Sequence, residues 1–191
     1  DIIIERLSND ESKIELLAVI ECSKYPLISE IDESVLQSIN FPFKFDKKMS
    51  ELTNNLFQED LLFYNNDTFS NQLTITILQN LSTDALKIKG LNLLDDFSKT
   101  EVINSLSNDN QKLENLHLLT DEMAKAQVIS SLSNDNQKLE NLHLLTDEMA
   151  KAKVISSLSD NNQKLENLHL LTDEMVKANV ISQLGNDKYK E

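Results

Sequence analysis

The chain has 191 residues, and its 18 Lys and Arg against 32 Asp and Glu give a formal charge of −14. An acidic surface repels phosphate backbones and anionic lipid heads, which argues against nucleic-acid and membrane partners. Two glycines and two prolines are too few for a Gly-rich phosphate loop or an all-β fold, and the single Cys22 excludes an internal disulfide and favours a cytoplasmic location.

The first seventy residues contain one partial repeat followed by an irregular stretch. Residues 1–20 include IIERLSND at 3–10, and similar sequences return further along the chain. Residues 21–70 interrupt that rhythm at Pro26 and Pro42, because proline disfavours helix in the residue before it. We interpret 21–70 as diverged repeats with an insertion, within a single helical-repeat array that spans 1–191.

Residues 71–184 form the regular part of the array. Residues 107–132 and 133–158 differ only where Lys153 replaces Gln127, and 159–184 is a third, more diverged copy. A fixed period of this length is typical of a solenoid. Residues 185–191 open a truncated repeat, so the sequence predicts a fragment of a longer array; a divergent terminal cap is the alternative.

Each repeat is predicted to contain two helices. Thr120 followed by two acids is a helix start, which predicts a first helix over 121–132, and Ser133 is expected to cap a second over 134–145. The alternative is one continuous coiled-coil helix, but its apolar residues recur about every 3.25 positions rather than 3.5. Apolar residues cover a wide arc of the first helix, which predicts two neighbours. The expected fold is all-α, a right-handed α-solenoid of stacked helical hairpins.

The tandem helix pairs resemble α-solenoid proteins such as tetratricopeptide and HEAT arrays, although the repeat is shorter and their signature residues are missing. The pattern Ser-Leu-Ser-Asn-Asp followed by Lys-Leu-Glu is also similar to short helical repeats in uncharacterised proteins of amoeba-infecting giant viruses and intracellular bacteria. This resemblance covers most of 70–191. It implies an interaction scaffold, and no functional residues carry over to this chain. If the source is such a virus or bacterium, the expected location is the host-cell cytosol.

Candidate sites for chemistry are few. His117, His143 and His169 occur once per repeat, and equivalent atoms in stacked repeats lie about 10 Å apart, too far to share one metal ion. We expect them at the edge of the leucine face, with a row of titrating groups as the alternative. The repeated serines are expected to be helix caps rather than nucleophiles. The sequence therefore predicts no enzyme, no metal and no cofactor.

Two groups of residues are candidates for binding a partner. One position varies in type from repeat to repeat while its surroundings stay constant: Glu101, Gln127, Lys153 and Asn179. This variation fits tuning for a protein partner, drift at an exposed site, or a base-reading code as in PUF repeats, although a basic stripe is missing. The aromatic residues Phe41, Phe43 and Phe45 are either an apolar anchor or ordinary core.

The predicted function is a non-enzymatic protein–protein interaction scaffold with a periodic acidic surface. One alternative is a structural spacer or an array that associates end to end. A second alternative is repeat-coded RNA binding through the variable position.

Overall fold

The computed structural model describes residues 9–23, 33–38, 40–43 and 67–184, which belong to two compact units. Unit 1 ends at Ser105 and unit 2 begins at Leu106. The described ranges contain α-helices and short 3-10 turns and no β-strand, which confirms the predicted all-α class.

Unit 1 is built around a central helix that packs against two others. Its helices are α1 (Asp10–Ser23), α2 (Glu33–Ser38), α3 (Asp67–Gln79), α4 (Asp84–Lys89) and α5 (Asp96–Asn104), with a 3-10 turn at Leu91–Leu93. Helix α3 packs against both α1 and α5. The fully buried Ile77 and Leu78 of α3 lie in this core.

Unit 2 repeats one arrangement along its length. Its helices are α6 (Asp109–Glu114), α7 (Glu122–Ser130), α8 (Asp135–Glu140), α9 (Glu148–Ser156), α10 (Asn161–Glu166) and α11 (Glu174–Ser182), with 3-10 turns at Leu116–Leu118, Leu142–Leu144 and Asn167–Leu170. Helix α9 packs against both α7 and α11, as the wide apolar arc predicted. Val154 and Ile155 of α9 are fully buried between those neighbours.

The second helix of each repeat is shorter than predicted. Instead of running over 134–145, it ends at Glu140 and continues as a 3-10 turn. Asn141 leaves helical geometry at φ −94° and ψ 0°, and its side-chain amide donates to the Gln137 carbonyl at 2.8 Å. Leu142, at the start of this turn, and Leu145, directly after it, are both buried in the core.

The predicted helix caps at Thr120 and Ser133 are wrong by one residue. The Asp121 carboxylate accepts from the Ala124 amide at 2.8 Å, and the Asn134 side chain accepts from the Asn136 amide at 2.8 Å. Asp and Asn side chains are short enough to reach amides of the first turn from this position. The Ser133 hydroxyl is thereby released for a bond to another repeat.

None of the helices in the described ranges combines the length and the apolar character needed to cross a bilayer. The longest is α1, with 14 residues. A bilayer core requires about 20 apolar residues in a helix.

Candidate interaction surface

A carboxylate joins consecutive repeats of unit 2 near the starts of their second helices. Asp109 Oδ2 accepts from the Ser133 amide at 2.7 Å, and Asp135 Oδ2 accepts from the Ser159 amide at 2.7 Å; both also accept from the serine hydroxyl. The hydrogen bond from the Ser159 hydroxyl is the main cause that lowers the pKa of Asp135 to about 2. The bond from Ser133 lowers the pKa of Asp109 in the same way.

A second carboxylate makes the corresponding bond between the first helices. Glu122 Oε2 accepts from the Thr146 and Asp147 amides at 2.7 and 2.6 Å. Glu148 Oε2 accepts from the Thr172 amide at 2.7 Å. The Asp147 amide lowers the pKa of Glu122, and the Thr172 amide lowers that of Glu148. Each glutamate therefore stays charged while it holds the helix start of the next repeat.

A buried lysine completes the junction. Lys138 is 7% exposed; its ammonium lies 3.0 Å from Asp135 Oδ1 and donates to the Ser157 carbonyl, also at 3.0 Å, at the end of α9. In unit 1, Lys87 donates likewise to the Ser105 carbonyl at 3.3 Å. The sequence prediction missed this role, although Asp-x-x-Lys recurs at Asp84, Asp109 and Asp135 and was a visible signal for it; the third copy has Asn161 at this place.

The junction between Asp109 and Ser133 borders an open polar groove of about 720 Å³. Its lining is formed by Ser107, Asn108, Asp109, Asn110, Lys112, Ser131, Ser133, Asn134 and Gln137. The Asp109 carboxylate is already bonded to Ser133 and lies 3.3 Å from the Lys112 ammonium. The groove is thus the outer side of a structural junction.

The structure brings two of the variable residues into contact. Lys153 Nζ donates to Gln127 Oε1 at 3.4 Å, and both side chains are half-buried. Asn179 is exposed, and its side-chain oxygen accepts from Gln183 at 3.2 Å. Glu101 belongs to unit 1, where it is half-buried. Three of the four positions therefore follow one another on the packed helices α7, α9 and α11.

The aromatic candidates lie in unit 1. Phe43 is 6% exposed; its ring centroid is 5.6 Å from that of the half-buried Phe41, and the Lys89 ammonium lies 5.5 Å from the Phe43 centroid. These contacts place Phe43 in the core, the alternative that the sequence left open, rather than on the surface as an anchor. Phe45 lies outside the described residues.

The three histidines are exposed and share one local bond. The Nδ1 atoms of His117, His143 and His169 lie 2.7, 2.7 and 2.6 Å from the carbonyl oxygens of the residues three positions earlier. Because a carbonyl oxygen only accepts, Nδ1 is the donor in each of these bonds. Among the described residues, no group of three or more His, Cys, Asp and Glu side chains could hold a metal ion.

An exposed methionine row is the surface feature that the sequence prediction missed. The second residue of each first helix in unit 2 is methionine: Met123 is 41% exposed, Met149 50% and Met175 81%. Phe97 holds the same place in α5 of unit 1. A large apolar side chain is therefore exposed at the same helix position in each of these repeats.

No known protein family, curated protein or solved structure matches this chain. The chemistry of its own surface is therefore the basis for proposing a function.

Proposed function

We propose that the chain is a non-enzymatic protein-interaction scaffold, a right-handed α-solenoid whose repeats present a periodic acidic surface to a protein partner in the cytoplasm. The right-handed turn of the solenoid is part of this proposal. The proposal rests on one observation: equivalent residues are repeated on three consecutive packed helices, α7, α9 and α11.

Two properties of unit 2 support this role. Carboxylates bind backbone amides across each junction, so equivalent residues are held at a constant step along the surface. Residues 106–184 also hold twelve Asp and Glu against seven Lys, and two of those lysines, Lys112 and Lys138, are buried. The exposed charge is therefore predominantly negative, which favours a basic or neutral protein segment over nucleic acid.

A structural spacer is the second candidate, and the junction bonds favour it. A rod whose repeats are joined by both Asp135 and Glu148 resists bending at each step, which is the property that a spacer needs. The spacer requires no exposed binding surface, so the two functions differ in whether the chain selects a ligand.

A selection experiment on the full chain separates these functions. A random peptide library displayed on phage is selected against the immobilised protein, and an unrelated acidic helical protein serves for subtraction. We expect the selected peptides to share a consensus sequence. Free protein in solution should compete with the immobilised protein for these peptides. Labelled random-sequence RNA at low salt is tested in parallel and should not bind, since phosphate attraction is greatest there.

The variable row is tested with one combined variant. Replacing Gln127, Lys153 and Asn179 by serine should weaken the selected peptides while changing stability by less than about 0.5 kcal/mol, because these side chains are half-buried or exposed. Unchanged binding would exclude this row as the interface. Sequence-selective RNA binding at micromolar affinity would overturn the scaffold, and a chain that selects neither ligand would be a spacer.

A further inference from the structure

We infer that the methionine row of unit 2, Met123, Met149 and Met175, is the docking face for a basic amphipathic helix that lies along the repeats. This inference rests on the proposed function and names the class of partner. Methionine side chains are flexible and polarizable, so they adapt to the apolar face of a partner helix.

The three methionines lie in line. Each is the second residue of its helix, directly after the N-cap and one glutamate. Helix α9 packs against both α7 and α11, so the three equivalent positions follow one another at the helix-to-helix distance, about 8–10 Å. The row thus extends over about 20 Å of surface.

The charges beside the methionine row indicate that the partner is basic. An Asp-Glu pair immediately precedes every methionine of the row, and one lysine follows two residues later. That lysine is balanced by the glutamate: Lys151 lies 3.8 Å from Glu148, and Lys177 lies 2.7 Å from Glu174. One carboxylate is left in excess beside Met123 and beside Met175, whereas Lys153 offsets it beside Met149. The excess negative charge at both ends of the row complements Lys and Arg at the edges of a partner helix.

The spacing between the methionines fits a helical partner rather than an extended one. Seven residues of α-helix rise about 10 Å and return to nearly the same face, close to the distance between packed helices. Residues on one face of a β-strand recur about every 6.6 Å, so alternate contacts would miss the row. A partner helix with apolar residues at i, i+7 and i+14 meets all three methionines.

The test uses a defined probe on the full chain. The probe is a labelled helical peptide of about 20 residues with leucines at i, i+7 and i+14, lysines along both edges of that face and alanines elsewhere. Two control peptides have the same composition with the leucines scattered, or the same pattern with glutamate in place of lysine. Binding is measured by fluorescence polarisation at low and high salt, and circular dichroism checks that each protein variant is folded.

The decisive variant replaces Met123, Met149 and Met175 together by glutamine, a side chain of similar length and helix propensity. We expect the patterned basic peptide to bind wild type, to lose at least about tenfold in affinity to this variant and to weaken at high salt. The matched control replaces His117, His143 and His169, which are exposed once per repeat on the 3-10 turns, by glutamine, and it should retain most of the affinity.

The following results would contradict the docking face. Equal binding to wild type and to the methionine variant, or equal binding of the scattered or glutamate peptide, would overturn the docking face. Absence of peptide binding would also overturn it. If phage-selected peptides still bind the chain in that case, the scaffold function survives without this face; if they do not, the proposed function fails as well.

Discussion

Replacing Asp135 by asparagine should weaken the junction that this carboxylate makes with Ser159. The wild-type carboxylate accepts from the Ser159 amide and hydroxyl and lies 3.0 Å from the Lys138 ammonium. The asparagine side chain has the same shape, but it has no charge and only one oxygen acceptor. The substitution therefore tests the charge while preserving the packing.

The expected magnitude follows from the pKa of Asp135. Its value of about 2, against the usual 3.8, corresponds to about 2 kcal/mol of stabilisation at 1.36 kcal/mol per pKa unit. The Asp135 side chain is partly exposed, so solvent screens the interaction, and we expect a loss of about 1 kcal/mol in the free energy of unfolding at pH 7. Because the pKa is lowered in the folded state, this stabilisation is present above pH 4 and disappears as the pH falls towards 2.

The assay combines a global and a local measurement. Urea unfolding of wild type and Asp135→Asn, repeated from pH 7 down to pH 3, gives the difference in stability and its pH dependence. Hydrogen exchange of the Ser159 amide reports the junction itself, and this amide should exchange faster in the variant. In a double-mutant cycle, Ser159→Ala should couple with Asp135→Asn, since the two side chains contact each other.

The chain supplies a matched control at Asp160. Its side chain caps α10 by accepting from the Asn162 amide at 2.9 Å, the role that Asn134 plays one repeat earlier. Asp160→Asn should therefore change the free energy of unfolding by less than about 0.5 kcal/mol. A loss in Asp135→Asn that is the same at pH 7 and pH 3, or equal to that of Asp160→Asn, would refute the carboxylate junction.

Three further substitutions are checked by the same unfolding measurement. Gly90→Ala should cost about 1–2 kcal/mol, because the added Cβ would lie 2.2 Å from a methyl of the fully buried Leu78; a neutral result would mean that Leu78 moves freely. Ala150→Val should cost about 1–3 kcal/mol, because Ala150 is fully buried, and a stabilising effect would reveal unfilled space. Lys138→Met should lower the free energy of unfolding by about 1–3 kcal/mol, because two acceptors lose their cation. Lys153→Met, at a half-buried position, should lower it less. Equal losses would contradict the role of Lys138 in the junction.

Local signals in the sequence determined the helices of the regular part. Helix starts depend on Ser, Thr, Asp and Asn placed before an apolar stretch, and such effects act within one turn. The 26-residue period and the break between the two helices were therefore predictable, while the exact caps at Asp121 and Asn134 were not. Thr and Asp, or Ser and Asn, stand side by side, and both members of each pair are capable caps.

Only the tertiary structure decided which of those side chains faces the next repeat. Ser159 and Thr172 bond to carboxylates that lie 24 residues earlier, and no local rule relates residues at that distance. The exposure of Met149 is of the same kind: α9 has apolar residues around much of its circumference, so its sequence predicts a helix with several neighbours but not the side left uncovered. Which side is covered depends on how α7 and α11 pack against it, because burial is a property of the assembled helices rather than of any one of them.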